Sequence, residues 1–317
     1  MDKPALKLFA APMQGYTEAP WRNAHAGIYG KENMPEYSTP FVRIEGGVPR
    51  HRDLKDVLSP LNVSHDPTPQ VIFGNIGEFQ ILVDNLRRSG CRRIDMNMGC
   101  PFPPQCKKGR GAAVIADLAL LSRVADTVSR IQDVAFSLKM RLGLTEPSEW
   151  RDAFTVINDM PLRHVTVHPR VASQQYSGEL YLDEFADILS VSEHPVVFNG
   201  DMRTPEDLSR LTVMFPGVHG VMVGRGLLAR PSLFAEYVSG RNWEPGRRLE
   251  SLRMLHALVV GCYKDSMSGD TQYLSKIKPF WDFLEAETGR KQWKAIRKAT
   301  SVKRYDEAVE AVFSGIR

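Results

Sequence analysis

The 317-residue sequence contains eight short apolar runs, rich in β-branched residues, that alternate with segments of helical periodicity. The runs cover residues 8–13, 37–42, 70–73, 93–97, 136–141, 164–168, 196–199 and 220–223. Continuous rather than alternating apolar character is typical of parallel strands that are buried on both faces. Eight such units in roughly 240 residues predict an α/β fold, a (β/α)8 TIM barrel spanning residues 1–244. A doubly wound sheet is less favoured, because the first run ends in Ala11-Pro12-Met13 and not in a GxGxxG turn.

Beyond residue 244 the pattern changes to helical periodicity alone. Four amphipathic stretches, separated by breaks at Gly269-Asp270 and Thr288-Gly289, predict a small C-terminal four-helix bundle over residues 245–317. This segment holds 14 Lys and Arg against 9 Asp and Glu, while the whole chain has a net charge of only +4. The excess of positive charge predicts that a polyanion docks there. The cations expected to contact it are Lys276, Lys278, Arg297 and Lys298.

Composition excludes several classes of protein. The hydrophobic fraction of 43% and the charged fraction of 25% are those of an ordinary globular chain. The first apolar run is too short for a membrane span and has no basic lead-in, so a cytoplasmic protein without membrane association is expected. The four cysteines form no CxxC pair, so no metal site is predicted. No obligate protein partner is evident, and a monomer is expected.

Active-site residues of a TIM barrel lie where its strands end at their carboxyl termini. Glycines follow the seventh and eighth runs in Asn199-Gly-Asp201 and Gly224-Arg225. These loops predict the phosphate site of a bound cofactor. Tight turns without a ligand are the alternative.

Two polar residues within the runs stand out. Lys139 lies inside an apolar strand, where a charge is costly without a partner. A flavin would provide that partner at its N1–C2=O edge; a salt bridge within the barrel is the alternative. His168 ends the sixth run, where it could donate a hydrogen bond to a flavin or a pyrimidine; a core histidine is the alternative.

A cysteine follows the fourth run in a loop that resembles a mobile lid. Cys100 stands between Gly99 and Pro101, and the loop continues to Gly109-Arg-Gly111. A thiol of ordinary pKa is protonated at neutral pH and can act as a general acid. Cys106 in the same loop is a competitor that spacing alone does not exclude.

Together these motifs resemble the tRNA-dihydrouridine synthase family across nearly the whole chain. The resemblance is carried by Ala11-Pro-Met13, Gln70 with Gly74-Asn75, Asp95-x-Asn-x-Gly-Cys-Pro101, Lys108-Gly-x-Gly-Ala112, Lys139-x-Arg-Leu-Gly143, Asn199-Gly-Asp201 and Gly224-Arg-Gly226. The Asn-x-Gly-Cys-Pro segment followed by Lys-Gly-x-Gly-Ala is highly specific, whereas the Gly-Arg pair alone is not.

The resemblance implies FMN, reduced by NADPH, and reduction of a uridine in the D-loop of tRNA to 5,6-dihydrouridine. It implies hydride transfer from the flavin to C6 of the uracil and protonation of C5 by Cys100. The FMN would be held by Ala11, Pro12, Met13, Gln70, Lys139, His168, Asn199, Gly200, Asp201, Gly224 and Arg225. Asn97, Arg141 and Arg170 are expected to contact the substrate.

The sequence departs from the family pattern at two places. The family usually has His-Gly-Arg after the sixth strand, whereas this chain has His168-Pro169-Arg170, and Gln14 replaces a smaller residue. Proline has no N–H, so a backbone hydrogen bond from residue 169 is lost. The segment Gly269-Asp-Thr271 followed by Lys276-Ile-Lys278 is most similar to the subgroup that modifies uridine 16 of tRNA.

Two other functions are compatible with part of the pattern. An FMN-dependent dehydrogenase acting on a free pyrimidine, of the dihydroorotate or dihydropyrimidine type, explains the barrel motifs but not a basic helical tail. An RNA-binding protein that uses the barrel as a scaffold explains the tail, but not Cys100 and Lys139 together with the phosphate loops.

Overall fold

The computed structural model describes residues 6–31, 34–264, 267 and 269–314. The strands are β1 Lys7–Ala10, β2 Glu36–Tyr37, β3 Ile44–Glu45, β4 Val48–Pro49, β5 Gln70–Val71, β6 Arg93–Met98, β7 Ala135–Gly143, β8 Leu162–Val171, β9 Val196–Phe198 and β10 Gly220–Val223. The helices are α1 Ala19–Tyr29, α2 His51–Val57, α3 Ile76–Arg88, α4 Pro103–Cys106, α5 Leu118–Arg130, α6 Trp150–Asn158, α7 Leu182–Val191, α8 Pro205–Met214, α9 Arg225–Ala229, α10 Leu233–Ser239, α11 Pro245–Lys264, α12 Asp270–Ile277, α13 Glu285–Thr288, α14 Arg290–Lys298 and α15 Val302–Phe313.

Eight of these strands form one parallel sheet that curls into a barrel. Their order is β2-β1-β10-β9-β8-β7-β6-β5. Parallel bridges from Ser38 to Thr68 and from Val42 to Val71 join the two ends of this order and close the ring. The remaining strands, β3 and β4, form a small antiparallel hairpin outside the barrel. The predicted TIM barrel is confirmed.

The second barrel strand is shorter than its apolar run predicts. The run continues to Val42, but β2 ends at Tyr37, and only isolated bridges follow. Pro40 interrupts the run and has no N–H to donate to a neighbouring strand. Strand β8, the sixth of the barrel, in contrast continues through Pro169 to Val171. Its pairing with β7 shifts in register after Arg141.

Side-chain caps fix where the barrel helices begin. The side chain of Asn75 accepts from Glu78 N at the start of α3, and Asp117 accepts from Leu120 N at the start of α5. At α8, Thr204 and Asp207 form a reciprocal capping box with Pro205 in the first turn.

Residues beyond 244 form the predicted helical region. Helices α11, α12, α14 and α15 are its longer members, and α13 and a 3-10 turn at Lys278–Trp281 connect them. The indole of Trp281 donates to Tyr305 Oη at 2.8 Å, and that hydroxyl lies 2.7 Å from His256 Nε2. Buried apolar side chains continue from the barrel into this region, so a domain boundary at residues 244/245 stays a prediction. Among the described helices, none has the length and apolar character needed to cross a bilayer.

A polar junction ties the barrel to the C-terminal helices at the start of α1. The carboxylate of Glu18 accepts from Lys276 Nζ at 2.6 Å and from Tyr263 Oη at 3.2 Å. Arg52 of α2 donates to the same carboxylate at 3.2 Å. Burial alone would raise the pKa of Glu18, but the two cations outweigh burial and lower it. The carboxylate is therefore held in its charged form.

Candidate active site

A large cavity, with a volume of about 1460 Å³, lies where the barrel strands end at their carboxyl termini. One of its walls comes from the C-terminal helical region, including Asp282, Phe283 and Arg290. The structure brings thirteen of the predicted site residues to this cavity. They are Ala11, Pro12, Met13, Gln70, Asn97, Cys100, Lys139, His168, Asn199, Gly200, Asp201, Gly224 and Arg225.

A chain of hydrogen-bonded side chains connects a buried carboxylate to the cysteine loop. Asp95 Oδ2 accepts from Gln70 Nε2 at 2.7 Å, and Gln70 Oε1 accepts from Asn97 Nδ2 at 2.7 Å. Asn97 Oδ1 then accepts from the backbone N–H groups of Gly99 and Cys100 at 3.1 and 2.9 Å. Burial raises the pKa of Asp95, while its hydrogen bonds from Ser137 and Gln70 oppose that change. Because Asp95 Oδ2 accepts from the Gln70 amide nitrogen, it sets the orientation of both amides. Asp95 belongs to a motif recognised in the sequence, but no role was predicted for it. A carboxylate inside an apolar strand is the sequence feature that could have indicated one.

The cysteine loop is packed closely against the barrel. A Cβ on Gly74 would collide with the carbonyl oxygen of Lys108, and a Cβ on Gly111 would lie 2.9 Å from Cys100 Cβ. Arg110 forms an ion pair with Glu78, whose carboxylate also accepts from Gly74 N at 2.9 Å. In this structure the loop is therefore held down over the cavity at both of its ends.

The structure places the two cysteines of this loop differently. Cys100 lines the cavity, and burial raises the pKa of its thiol. Cys106 ends helix α4, outside the lining that the described residues form, and its Sγ donates to the Cys100 carbonyl at 3.4 Å. The geometry thus favours Cys100 over Cys106 as the acid, and the assignment itself stays a prediction.

Lys139 enters the cavity wall from β7, directly beside Asn97 of β6 in the strand register. Burial, reinforced by the charge of Arg141, lowers the pKa of Lys139 to about 8, while Asp95 opposes that change. A pKa of about 8 leaves the ammonium group mostly charged at pH 7. Among the described residues Lys139 forms no salt bridge, so the alternative of a salt bridge within the barrel gains no support.

His168 is held in its neutral form with a defined tautomer. Burial, together with the cations Arg141, Lys139 and Arg170, lowers its pKa well below the ordinary value. Arg170 Nη1 lies 3.2 Å from His168 Nε2, and a guanidinium only donates, so Nε2 accepts and Nδ1 carries the proton. His168 can therefore donate one hydrogen bond from Nδ1.

The two glycine loops meet at the carboxylate of Asp201. Its oxygens accept from Arg170 at 2.5 Å and from Arg225 at 2.8 Å. The amide of Asn199 donates to Met222 O at 2.7 Å, which joins the seventh strand end to the eighth. Helix α9 begins at Arg225, directly after the second glycine loop, and has five residues.

Arg141 and Arg170 were predicted to contact the substrate, and the structure gives each several partners in the chain. Arg141 donates to the carbonyls of Gly99, Val171 and Gln175 at 3.1, 3.0 and 2.5 Å. Arg170 donates to the Gly178 carbonyl at 2.7 Å in addition to its bond with Asp201. Neither belongs to the cavity lining formed by the described residues, so their substrate contact stays a prediction.

Tyr176 is a cavity residue that sequence reasoning missed. Its side chain is 52% exposed, and its ring lies 5.5 Å from the guanidinium of Arg141 and 5.2 Å from that of Arg225. An exposed ring backed by two cations is a suitable stacking surface for a base or a nicotinamide. The only sequence feature that could have indicated a role for Tyr176 is the presence of an aromatic residue in a polar loop.

The four C-terminal cations have different environments. Lys276 is paired with Glu18, and Lys278 Nζ donates to Ala299 O at 3.0 Å. Arg297 stacks on Trp293 at 4.8 Å and is about half exposed, and Lys298 is exposed at the end of α14. Their role in binding RNA stays a prediction, with Arg297 and Lys298 the more accessible pair.

Comparison with known proteins places the chain. The family model for dihydrouridine synthases matches residues 9–314. The chain belongs to the dihydrouridine synthase family.

Curated relatives within this family agree with that assignment. The chain is 30% identical over 240 residues to tRNA-dihydrouridine synthase B of Pseudomonas aeruginosa, covering 73% of this chain and 68% of that protein. It is 26% identical over 302 residues to tRNA-dihydrouridine(16) synthase of Cupriavidus necator, covering 87% of this chain and 89% of that protein. The resemblance that the motifs indicated is thus confirmed.

Solved structures support the architecture of this family member. The old yellow enzyme from Trypanosoma cruzi matches with a TM-score of 0.53 and 8% identity, over 75% of this chain and 89% of that chain. Morphinone reductase matches with a TM-score of 0.51 and 10% identity, over 75% of this chain and 87% of that chain. At such low identity these likenesses bear on the fold alone.

Proposed function

We propose that the protein reduces a uridine of tRNA to 5,6-dihydrouridine, with FMN as cofactor and NADPH as reductant. Membership of the dihydrouridine synthase family supports the reaction. The observation that carries the proposal is the single cavity that gathers Cys100, Lys139 and both glycine loops. Its volume of about 1460 Å³ exceeds the roughly 300–1,000 Å³ of common ligand pockets, which leaves space for a flavin and a uridine together.

The residues around the cavity suit a flavin. The loops after β9 and β10 would hold its phosphate, and Arg225 is a cation of these loops that lines the cavity. A Cβ on Gly224 would lie 3.0 Å from Met13 Sδ, so glycine keeps the phosphate loop close to the first strand end. Gln70 and Lys139 would contact the ring system. When bound, reduced FMN supplies the hydride that adds to C6 of the uracil.

Cys100 completes the addition at the neighbouring carbon. The double bond between C5 and C6 gains a hydride at C6 and a proton at C5, so one proton must come from the protein. The raised pKa of Cys100 keeps its thiol protonated at neutral pH. Lys139 and Arg141 lower that pKa to a smaller degree, which stabilises the thiolate left after transfer until solvent reprotonates it.

The other side chains position the uracil and keep the acid in place. Asn97 fixes the backbone of the cysteine loop through two hydrogen bonds. Neutral His168 can donate from Nδ1 to a carbonyl of the uracil or of the flavin, without adding a charge to the cavity. Tyr176 offers a stacking surface at the opening.

The target base lies within a folded RNA, so it must leave its stack to enter the cavity. The C-terminal region supplies a wall of the cavity and an excess of positive charge beside it. This arrangement favours RNA over a free pyrimidine as substrate. We also propose, from the segment 269–278, that the target is uridine 16 of the D-loop.

A direct assay tests the proposed function. Purified protein should show the absorption spectrum of FMN, and NADPH should bleach it. Incubation with unmodified tRNA transcripts should then produce dihydrouridine, whereas free uridine and free uracil should not react. Equal turnover of free uracil would move the assignment to the free-pyrimidine dehydrogenases, and a protein that neither contains nor takes up flavin would overturn it.

The location of the RNA can be tested by reversing two charges. In the variant Arg297→Glu with Lys298→Glu, we expect tRNA affinity to fall roughly tenfold or more at low salt. Fewer counterions are released on binding, so the slope of log affinity against log salt should also become shallower by about one to two units. Filter binding over a range of salt concentrations measures both quantities.

The matched control reverses two exposed charges on the outside of the barrel, Arg123→Glu with Arg130→Glu in α5. This control changes the net charge by the same amount and should leave tRNA binding near the wild-type level. Oxidation of NADPH without tRNA should be equal in all three proteins. Equal losses of affinity in both variants would attribute the effect to overall charge and not to helix α14.

A further inference from the structure

A second cavity, with a volume of about 480 Å³, lies in the C-terminal helical region. It is bounded by α12, by the 3-10 turn that follows it, and by the connection between α14 and α15. Its size falls within the roughly 300–1,000 Å³ of ligand pockets. Two of its lining residues, Lys278 and Arg297, are among the cations expected to bind RNA, and its other lining residues have no assigned role.

The lining of the second cavity contains both apolar and hydroxyl-bearing side chains. Leu274, Pro279 and Ala299 supply apolar surface, and Thr271 and Ser275 supply hydroxyl groups. The hydroxyl of Ser275 donates to Gln272 O at 2.7 Å and can still accept a hydrogen bond. Apolar surface suits the face of a nucleobase, while hydroxyl groups suit the donors and acceptors on its edge. A site for an inorganic anion would not need this apolar surface.

Two cations border this cavity. Lys278 Nζ uses one of its three N–H groups on Ala299 O, which leaves two for another ligand. Arg297 is about half exposed, and its contact with Asp282 Oδ1 is long, at 3.6 Å. These positions suit the phosphate of a nucleotide whose base lies on the apolar surface.

One side chain belongs to the lining of both cavities. Asp282 lines both cavities. Its Oδ2 accepts from Tyr16 Oη at 3.1 Å, and Tyr16 lines the main cavity. The two cavities therefore adjoin at Asp282.

We propose that the second cavity binds an unstacked nucleotide that flanks the reduced uridine in the same RNA. The proposal rests on the proposed function, because it needs the uridine in the main cavity. Holding a flanking nucleotide offsets part of the cost of unstacking the target, since base and phosphate gain contacts outside the RNA. The carboxylate of Asp282 favours a base that presents N–H donors towards it.

Filling the second cavity tests this proposal. Ser275→Trp places a large side chain in the cavity without changing any charge. The matched control is Gln272→Trp, on the exposed surface of the same helix and outside the lining. We expect Ser275→Trp to raise the KM for tRNA about tenfold with little change in kcat, and Gln272→Trp to stay within about twofold of wild type. Thr271→Trp fills the cavity from a neighbouring position and should repeat the effect.

A spectroscopic readout locates the flanking nucleotide. In tRNA carrying 2-aminopurine beside the reduced uridine, fluorescence should rise when wild type or Gln272→Trp binds, because the base loses its stacking. The rise should be smaller with Ser275→Trp. Flavin content and the thermal midpoint confirm that each variant is folded. Absence of dihydrouridine with wild-type protein would overturn the proposed function. An active wild type, with unchanged KM in both cavity-filling variants and no fluorescence rise on either flank, would overturn the second site alone.

Discussion

Cys100→Ala is expected to lower the turnover of tRNA uridine by about 10²–10⁴-fold, the usual cost of losing a general acid. Binding of FMN and of tRNA, and the reduction of the flavin by NADPH, should remain near wild type, because the thiol acts only when C5 is protonated. The loss should therefore appear in kcat and not in KM. Single-turnover measurements that follow flavin reoxidation by tRNA separate this step from the others.

Cys106→Ala is the matched control, since its thiol belongs to the same loop but not to the lining of the cavity formed by the described residues. Its activity should stay within a few-fold of wild type. A large loss in Cys106→Ala with normal turnover in Cys100→Ala would show that the acid had been assigned to the wrong thiol.

The pH profile of the wild-type protein gives a second check on the acid. Burial raises the pKa of Cys100, so the acid form persists through neutral pH and activity should fall only on the alkaline side of its ordinary pKa.

Acidification is expected to destabilise the protein steeply below about pH 6.5. Burial lowers the pKa of His25 to about 3 and that of His65, His164 and His256 to about 4. It also lowers the pKa of His168 well below the ordinary value. In the unfolded chain these groups titrate near pH 6.5. Between about pH 6.5 and 4 the unfolded state therefore binds more protons than the folded state, and stability falls as the pH falls.

The size of this effect follows from the number of deeply buried histidines. His25, His164, His168 and His256 each contribute up to about 1.4 kcal/mol per pH unit, so together they amount to at most roughly 5–6 kcal/mol per unit, and the half-buried His65 adds less. The free energy of unfolding of a protein is commonly about 5–15 kcal/mol, so unfolding should occur within one to two units below pH 6.5. Urea titrations at several pH values between 7.5 and 5 measure the slope.

Two substitutions assign the slope to buried histidines. His164→Gln removes one buried group and should reduce the slope by about one proton, whatever it does to the absolute stability. His51→Gln, at an exposed position, should leave the slope unchanged. A slope that is identical in wild type and His164→Gln would show that this histidine does not contribute to acid unfolding.

Local sequence predicts the barrel well, because its strands are continuous apolar runs and their polar ends coincide with the cavity. The residues that share the cavity could be named before the fold was known, since parallel strands bring their carboxyl ends to one rim. Lys139 and Cys100 are recognisable for the same reason: each conflicts with the apolar strand or the simple turn around it.

Partners that are distant in sequence could not be predicted in this way. Nothing in the sequence near Lys276 indicates that it forms an ion pair with Glu18, which lies 258 positions away. The amides of Gln70 and Asn97 likewise depend on Asp95 through contacts between adjacent strands. Tyr176 becomes recognisable only when the fold places its ring over two guanidinium groups. Such pairings are set by tertiary packing, which periodicity does not encode.

The junction at Glu18 limits how the chain can be recombined with its relatives. A carboxylate at the start of the first barrel helix is matched to Lys276 and Tyr263 near the opposite end of the sequence. A chimera that received its C-terminal helices from a donor lacking both partners would leave a partly buried negative charge with the more exposed Arg52 as its remaining cation. A chimera should therefore take the C-terminal helices and residue 18 from the same parent. A junction at residue 244 alone would separate Glu18 from Lys276 and Tyr263.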